Sequence, residues 1–195
     1  MGRPREHTEA TRAELLVAAR RLLAEQGAAG LGLRGLALQV DTSTRAIYSL
    51  FGSKEHLVRE LYVDGFRELA ERLERLPHTG DARADLLAAC GAYREQAVRE
   101  PVLYRLMCER LVPEFEPSCD DRIEALRALD QLTGRLRACR DAGLLAADLD
   151  DLTRQWWAVL HGLAALEIRE LLGPTADADR HWAATLSALF AGYSR

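Results

Sequence analysis

Residues 31–57, LGLRGLALQVDTSTRAIYSLFGSKEHL, constrain the chain more tightly than any other stretch. Two short apolar-periodic segments, 33–40 and 43–51, flank a polar turn, and a third segment opens after Gly52. Leu36 is the first apolar anchor, Ala37 the small residue where two helices touch, and Val40 the next core position. Asp41 occupies a turn that needs a positive φ, and Asp tolerates that region better than most residues. Ile47 and Leu50 then bury the second segment on the first. This spacing is what two short helices crossing at about 90–120° require, and it predicts a helix-turn-helix.

In such a motif the N-terminal residues of the second helix reach base edges. Here these are Ser43, Thr44 and Arg45, with Thr42 just before them. Any of the three hydroxyl side chains can cap the helix, and each can also donate to a phosphate or a base. Arg45 suits guanine O6 and N7, a contact worth roughly 1–3 kcal/mol of discrimination. Tyr48, one turn later, suits a phosphate oxygen. Ser53 and Lys54 open the next helix, whose terminal amides and lysine charge form an anion site. Arg34 completes the candidate DNA-contact set, and Arg3 and Arg5 form a basic arm. The expected partner is double-stranded operator DNA.

The net charge of −4 argues against nucleic acid only as a total. Residues 1–60 hold nine Lys/Arg against seven Asp/Glu, whereas residues 61–195 hold 17 against 23. Local charge is what meets a phosphate. Of the 26 basic residues only Lys54 is lysine, which draws attention to its place at a helix start.

Nothing alternates with period two, so the chain reads as all-α, with about nine helices. Helices are expected at 11–26 (Thr11 and Glu14 forming a capping box), 33–40, 43–51, 54–76, 83–99, 101–111, 120–142, about 150–172 and 175–193. Asp148 or Asp150 caps the eighth. Gly30, Gly32 and Gly35 spell G-x-G-x-x-G, but no strand surrounds them, so no dinucleotide site follows. No nucleophile-elbow, Walker or H-E-x-x-H pattern occurs, and the reading is of a non-enzyme without cofactor. Cys90, Cys108, Cys119 and Cys139 lack C-x-x-C spacing, so no metal site is expected and the thiols read as reduced. No run of about 18 apolar residues spans a membrane. The start is too polar for a secretory signal, and a cytoplasmic location is expected.

The run Ile47-Tyr48-Ser49-Leu50-Phe51-Gly52-Ser53-Lys54-Glu55, with Ala18, Ala19, Leu22, Gly27, Leu36, Ala37, Ser43 and Leu57, resembles the DNA-binding domain of the tetracycline-repressor (TetR) family. The resemblance implies that Tyr48 and Lys54 hold backbone phosphates. Gly32, Gly35, Asp41 and Thr42 depart from the family's pattern and bear on operator preference. More loosely, Tyr93-Arg94, the run from Pro101 to Met107, and Trp157-Ala158-Val159-Leu160-His161-Gly162 resemble a family branch with a Trp-x-x-x-His-Gly signature. That likeness implies a ligand-responsive helical domain that dimerises through its last two helices.

On this reading residues 1–53 form the DNA-binding domain and 54–195 the regulatory, ligand-binding and dimerisation domain. Tyr93, Tyr104, Met107, Cys108, Phe115, Trp157 and His161 are candidate lining for a small apolar or aromatic effector. Trp157, His161, Ala164 and Ile168 share one stripe of the eighth helix, and Trp182, Leu186, Leu189 and Tyr193 share one on the ninth. Leu160, Leu163, Glu167, Trp182, Thr185, Leu186 and Leu189 are candidate homodimer contacts. Together these features predict a ligand-responsive homodimeric transcriptional regulator, a repressor released from DNA by its effector. The alternative is a helical small-molecule-binding or enzymatic protein with a vestigial helix-turn-helix.

Overall fold

The computed structural model describes residues 5–109 and 111–194. Among them are nine helices and no strand: α1 (Arg5–Gly30), α2 (Leu33–Gln39), α3 (Thr44–Phe51), α4 (Lys54–Glu74), α5 (Ala82–Arg99), α6 (Pro101–Cys108), α7 (Arg122–Asp141), α8 (Leu149–Ile168) and α9 (Thr175–Tyr193). The all-helical expectation holds. Arg3, half of the expected basic arm, lies outside the described residues.

The chain divides into two compact units. The first comprises Met1–Gly65 and Glu100–Arg122. In it α1 packs on α2 and α6, and α2 packs on α3. Leu15, Leu22, Leu23, Leu36, Ile47, Leu57 and Leu61 are fully buried there. Arg20 of α1 donates to Asp64 of α4 at 2.8 Å and lies 3.7 Å from Glu100 ahead of α6. Because α1 begins at Arg5, Thr11 lies inside the helix and does not form the expected capping box with Glu14. Gly27 takes φ +69° and kinks α1 one residue past the expected end, a conformation that costs glycine little.

The second unit comprises Phe66–Arg99 and Ile123–Arg195. In it α5 packs on α8, and α8 on α9. Trp156 is fully buried and meets Phe190 edge to face at 6.4 Å. Trp157 is 49 % exposed. The buried stripe of α8 is therefore Leu152, Trp156, Leu160, Leu163 and Ala164, one position away from the stripe expected through Trp157 and His161. Of the two expected caps of α8 it is Asp148 that serves, accepting from the amides of Asp150 at 2.9 Å and Asp151 at 3.3 Å.

Two arginines tie this unit together. Arg94 of α5 grips Glu167 of α8 with Nε at 2.8 Å and Nη2 at 2.6 Å. It also reaches Asp179 of α9 at 2.6 Å, and the Trp182 indole donates to Glu167 at 2.7 Å. Buried Arg135 of α7 donates to the carbonyls of Leu76 and Pro77, each at 2.8 Å, beyond the end of α4. Such carbonyls lack intrahelical partners and need a donor.

Arg135 lies 3.7 Å from Asp85, a buried carboxylate in the first turn of α5. Asp85 accepts from the Thr79 hydroxyl at 2.7 Å and the Thr79 amide at 3.0 Å. The hydroxyl bond, then the amide bond and the Arg135 charge, outweigh burial and hold the carboxyl below its usual range. A depressed folded value adds stability above the unfolded carboxylate value of about 3.9, and that stability is lost as pH falls through the folded value. Asp85→Asn is expected to melt below the native chain at pH 7, with the gap closing as pH drops beneath about 4. Calorimetry across pH 3–7 checks this, and a gap independent of pH contradicts it.

Candidate nucleic-acid interface and apolar cavity

The turn between α2 and α3 forms as its residues require. Asp41 takes φ +49°, the left-handed conformation its place demands. The Thr42 amide donates to the Ala37 carbonyl at 2.9 Å and closes the turn. Of the three hydroxyl candidates Ser43 is the cap, its Oγ accepting from the Ala46 amide at 3.1 Å. Gly32 stands at the N-cap of α2 without a side-chain bond, as expected of a residue with no oxygen to offer. Leu36 and Ala37 of α2 and Ile47 and Phe51 of α3 are buried.

This burial turns the rest of α3 outward. Ser43 and Arg45 are exposed, and Tyr48 is 54 % exposed. Thr42 and Thr44 are half-buried. On α2, Arg34 is exposed. Lys54, half-buried, opens α4, where the Ser53 hydroxyl accepts from the His56 amide at 3.1 Å. All seven candidates lie in the first unit. Arg34, Arg45 and Lys54 make no ion pair with a described residue, whereas Arg12, Arg20 and Arg59 of the same unit are each paired. The edge therefore offers unpaired cations, hydroxyls and the amide end of α4, a combination that binds phosphates and reads bases.

The far end of α3 is tied down. Four terminal carbonyls of a helix lack intrahelical partners. Here the Tyr48 carbonyl accepts from the Gly52 amide at 2.8 Å, and the Leu50 carbonyl from Arg12 of α1 at 3.2 Å. The Phe51 carbonyl accepts from His56 Nδ1 of α4 at 3.0 Å. Arg12 also lies over the Phe51 ring, 5.0 Å from its centroid, and pairs with Glu60 of α4. Burial holds the Glu60 carboxyl above its usual value, although Arg12 pulls it down. Sequence reading missed Arg12, because nothing local links it to a carbonyl 38 residues away.

The first unit also holds a partly open cavity of about 240 Å³. Tyr62 of α4, Met107 and Cys108 of α6, and Val112 and Phe115 of the following loop line it, with Glu109, Glu116 and Arg122 as its charged residues. Tyr62 and Phe115 meet edge to face at 5.5 Å. Burial pushes the Tyr62 phenol above its ordinary value, partly offset by the Arg122 charge. Gly65 of α4 admits Met107 closely: a Cβ there would fall 2.7 Å from the sulfur. Three of the seven expected effector residues, Met107, Cys108 and Phe115, thus share one cavity. Tyr104 is buried in the same unit but is not part of that lining. Tyr93, Trp157 and His161 belong to the second unit.

The expected dimer contacts also separate. Leu160, Leu163, Trp182 and Leu186 are buried within a single chain, and Glu167 is bound to Arg94 and Trp182. Thr185 and Leu189 are half-buried. The exposed residues of α8 and α9 include Trp157, Ala158 and Leu166 on α8 and Ala183, Ala184, Ala188, Ala191 and Gly192 on α9.

Comparison with known proteins agrees with this architecture. Residues 15–61 match the model of bacterial regulatory proteins of the tetR family, and residues 86–189 match the tetracyclin repressor-like C-terminal domain. The chain belongs to the TetR family. It is 30 % identical over 123 residues to the HTH-type transcriptional regulator Rv1816 of Mycobacterium tuberculosis, which covers 62 % of this chain and 53 % of that protein. The chain thus spans about half the length of the curated relatives it matches. A Rhodococcus sp. RHA1 protein of unknown function shares the fold with a TM-score of 0.82 and 26 % identity, covering 95 % of this chain and 96 % of the other. The TetR family transcriptional regulator PfmR of Thermus thermophilus superposes with a TM-score of 0.71 at 20 % identity, covering 93 % and 99 %.

Burial pushes the thiols of Cys90 and Cys108 up to about 12 and that of Cys139 up to about 11. Cys119 is exposed. Thiolate is the reactive form. A disulfide reagent at pH 8 is therefore expected to modify Cys119 rapidly in the native protein and the other three only on unfolding. Rapid modification of Cys90, Cys108 or Cys139 contradicts this.

Proposed function

We propose that this chain is a homodimeric, effector-responsive transcriptional repressor that works in the cytoplasm and reads operator DNA with α3. The observation that carries the reading is the outward edge of Arg34, Thr42, Ser43, Thr44, Arg45, Tyr48 and Lys54, whose three cations have no ion-pair partner among the described residues. Arg45 is assigned to a base edge, and Tyr48 and Lys54 to phosphates. Reading is assigned to residues 1–53, and regulation and dimerisation to 54–195.

The effector site is assigned to the cavity of Tyr62, Met107, Cys108 and Phe115. Its volume of about 240 Å³ lies below the roughly 300–1,000 Å³ of sites for drug-sized ligands, which favours a single-ring apolar or aromatic molecule. Tyr62 stands on α4, two turns beyond Lys54, so occupancy acts on the helix that begins at the DNA edge. The effector releases DNA only if it binds the released state more tightly, by about 1–3 kcal/mol for a typical coupling. The Trp157, His161 and Gly162 spacing is read as the mark of a particular family branch.

Dimerisation is assigned to the outward faces of α8 and α9, where small residues allow close approach and Leu166 is 41 % exposed. A two-fold dimer is needed to present two readers to half-sites about 34–36 Å apart. The native chain is expected to sediment as a dimer and Leu166→Glu as a folded monomer. A native monomer at micromolar concentration contradicts the assignment.

For DNA, the probe is a duplex selected by the native protein from a random-sequence pool. Combined Tyr48→Phe and Lys54→Ala should weaken binding to selected and scrambled duplexes alike and reduce the salt dependence. Arg45→Ala should relax preference at one base pair by about 1–3 kcal/mol. Native affinity and salt dependence in the double variant overturn the assignment.

A further inference from the structure

We propose that Arg12 is a positioning residue for DNA reading: it fixes the axis of α3 from behind, through the carbonyl end of that helix. The inference rests on the assignment of α3 as the reader. Arg12 stands on α1, outside the exposed reading edge, and its role is to hold α3 and not to touch DNA.

At eight residues α3 lies below the roughly 12–15 residues an isolated helix needs in water, so its ends and its buried side set its direction. Its N-terminal end carries a single side-chain cap, Ser43, and otherwise faces outward. Its direction is therefore shared between the buried side, where Ile47 and Phe51 face inward, and the C-terminal end. There Arg12 makes three contacts at once: a hydrogen bond to the Leu50 carbonyl at 3.2 Å, a cation–π contact over the Phe51 ring at 5.0 Å, and an ion pair with Glu60. These join three helices, α1, α3 and α4, at a single guanidinium. The planar fork suits this task, since a lysine can offer the charge but has a single nitrogen where Arg12 uses Nη1 for the carbonyl and Nη2 for Glu60. A cation beside the last carbonyls also opposes the negative end of the helix dipole. His56 and Gly52 hold the neighbouring carbonyls of Phe51 and Tyr48, but Gly52 caps α3 itself and His56 stands in the first turn of α4, within five residues of the carbonyls they bind. Of these donors only Arg12 comes from α1.

The experiment compares the native chain with Arg12→Ala, Arg12→Lys and Glu60→Gln in two measurements. The first is hydrogen exchange of the DNA-free protein. In Arg12→Ala, peptides covering 44–51 should exchange faster while peptides of α7, α8 and α9 keep native rates. The second is affinity for the selected duplex against a scrambled duplex of equal length. The phosphate-facing residues are untouched, so binding to the scrambled duplex should stay within about twofold, while the selected-to-scrambled ratio falls by about tenfold or more. Arg12→Lys should recover part of both effects.

Native exchange in 44–51, or a native ratio, in Arg12→Ala overturns the proposal. If Arg12→Ala loosens the whole chain, Arg12→Lys and Glu60→Gln decide. Faster exchange confined to 44–51 in these variants supports the role, and native or uniformly raised exchange removes it. A native protein that prefers no duplex refutes the reading assignment alone, because the exchange measurement contains no DNA.

Discussion

The reader exists because two helices too short to stand alone are buried against each other. α2 has seven residues and α3 eight, and neither has the length to persist in water. Leu36 and Ile47, both fully buried, provide the contact that makes them a unit. Each contributes about 1.5–3 kcal/mol by leaving water. The geometry of that contact depends on the turn, and the turn depends on Asp41 at φ +49°. Once the apolar side of α3 is committed inward, Arg45 and Tyr48 have only the outward side left.

Arginine joins separate helices in both units. Arg12 closes the end of α3, Arg135 the carbonyls beyond α4, and Arg94 links α5, α8 and α9. In each case a guanidinium meets carbonyls or carboxylates that a helix would otherwise leave unmatched, a geometry that a planar fork of donors satisfies. The contrast with Arg34, Arg45 and Lys54 gives the outward edge its meaning. Arg12, Arg20 and Arg59 of the first unit are paired within the fold, whereas Arg34, Arg45 and Lys54 form no ion pair with a described residue.

Much of this was legible in the sequence because it is local. The positive φ of Asp41, a hydroxyl cap from Thr42, Ser43 or Thr44, the break at Gly27 and a cap from Asp148 or Asp150 each follow from residues within a few positions of one another, and the structure selects Ser43 and Asp148. Long-range features were not legible. Adjacent Trp156 and Trp157 head two overlapping apolar stripes, and only packing against α5 and α9 shows that Trp156 is the buried one. The same packing uses Leu160, Leu163, Trp182 and Leu186 inside one chain, which the sequence had offered to a second copy. Local signals also misled at Thr11, where α1 runs on toward its N-terminus past a plausible cap. The cavity residues divided because helix order in the chain does not say which unit α6 joins.

Everything functional turns on which surface meets a duplex. Backbone amide protection, measured by hydrogen exchange with and without the selected DNA, tests this most directly. The expected result is new protection confined to the α2–α3 turn, the first turns of α3 and the start of α4 at Ser53–Glu55. Protection located instead on α7, or no protection at α3 under saturating DNA, would contradict it.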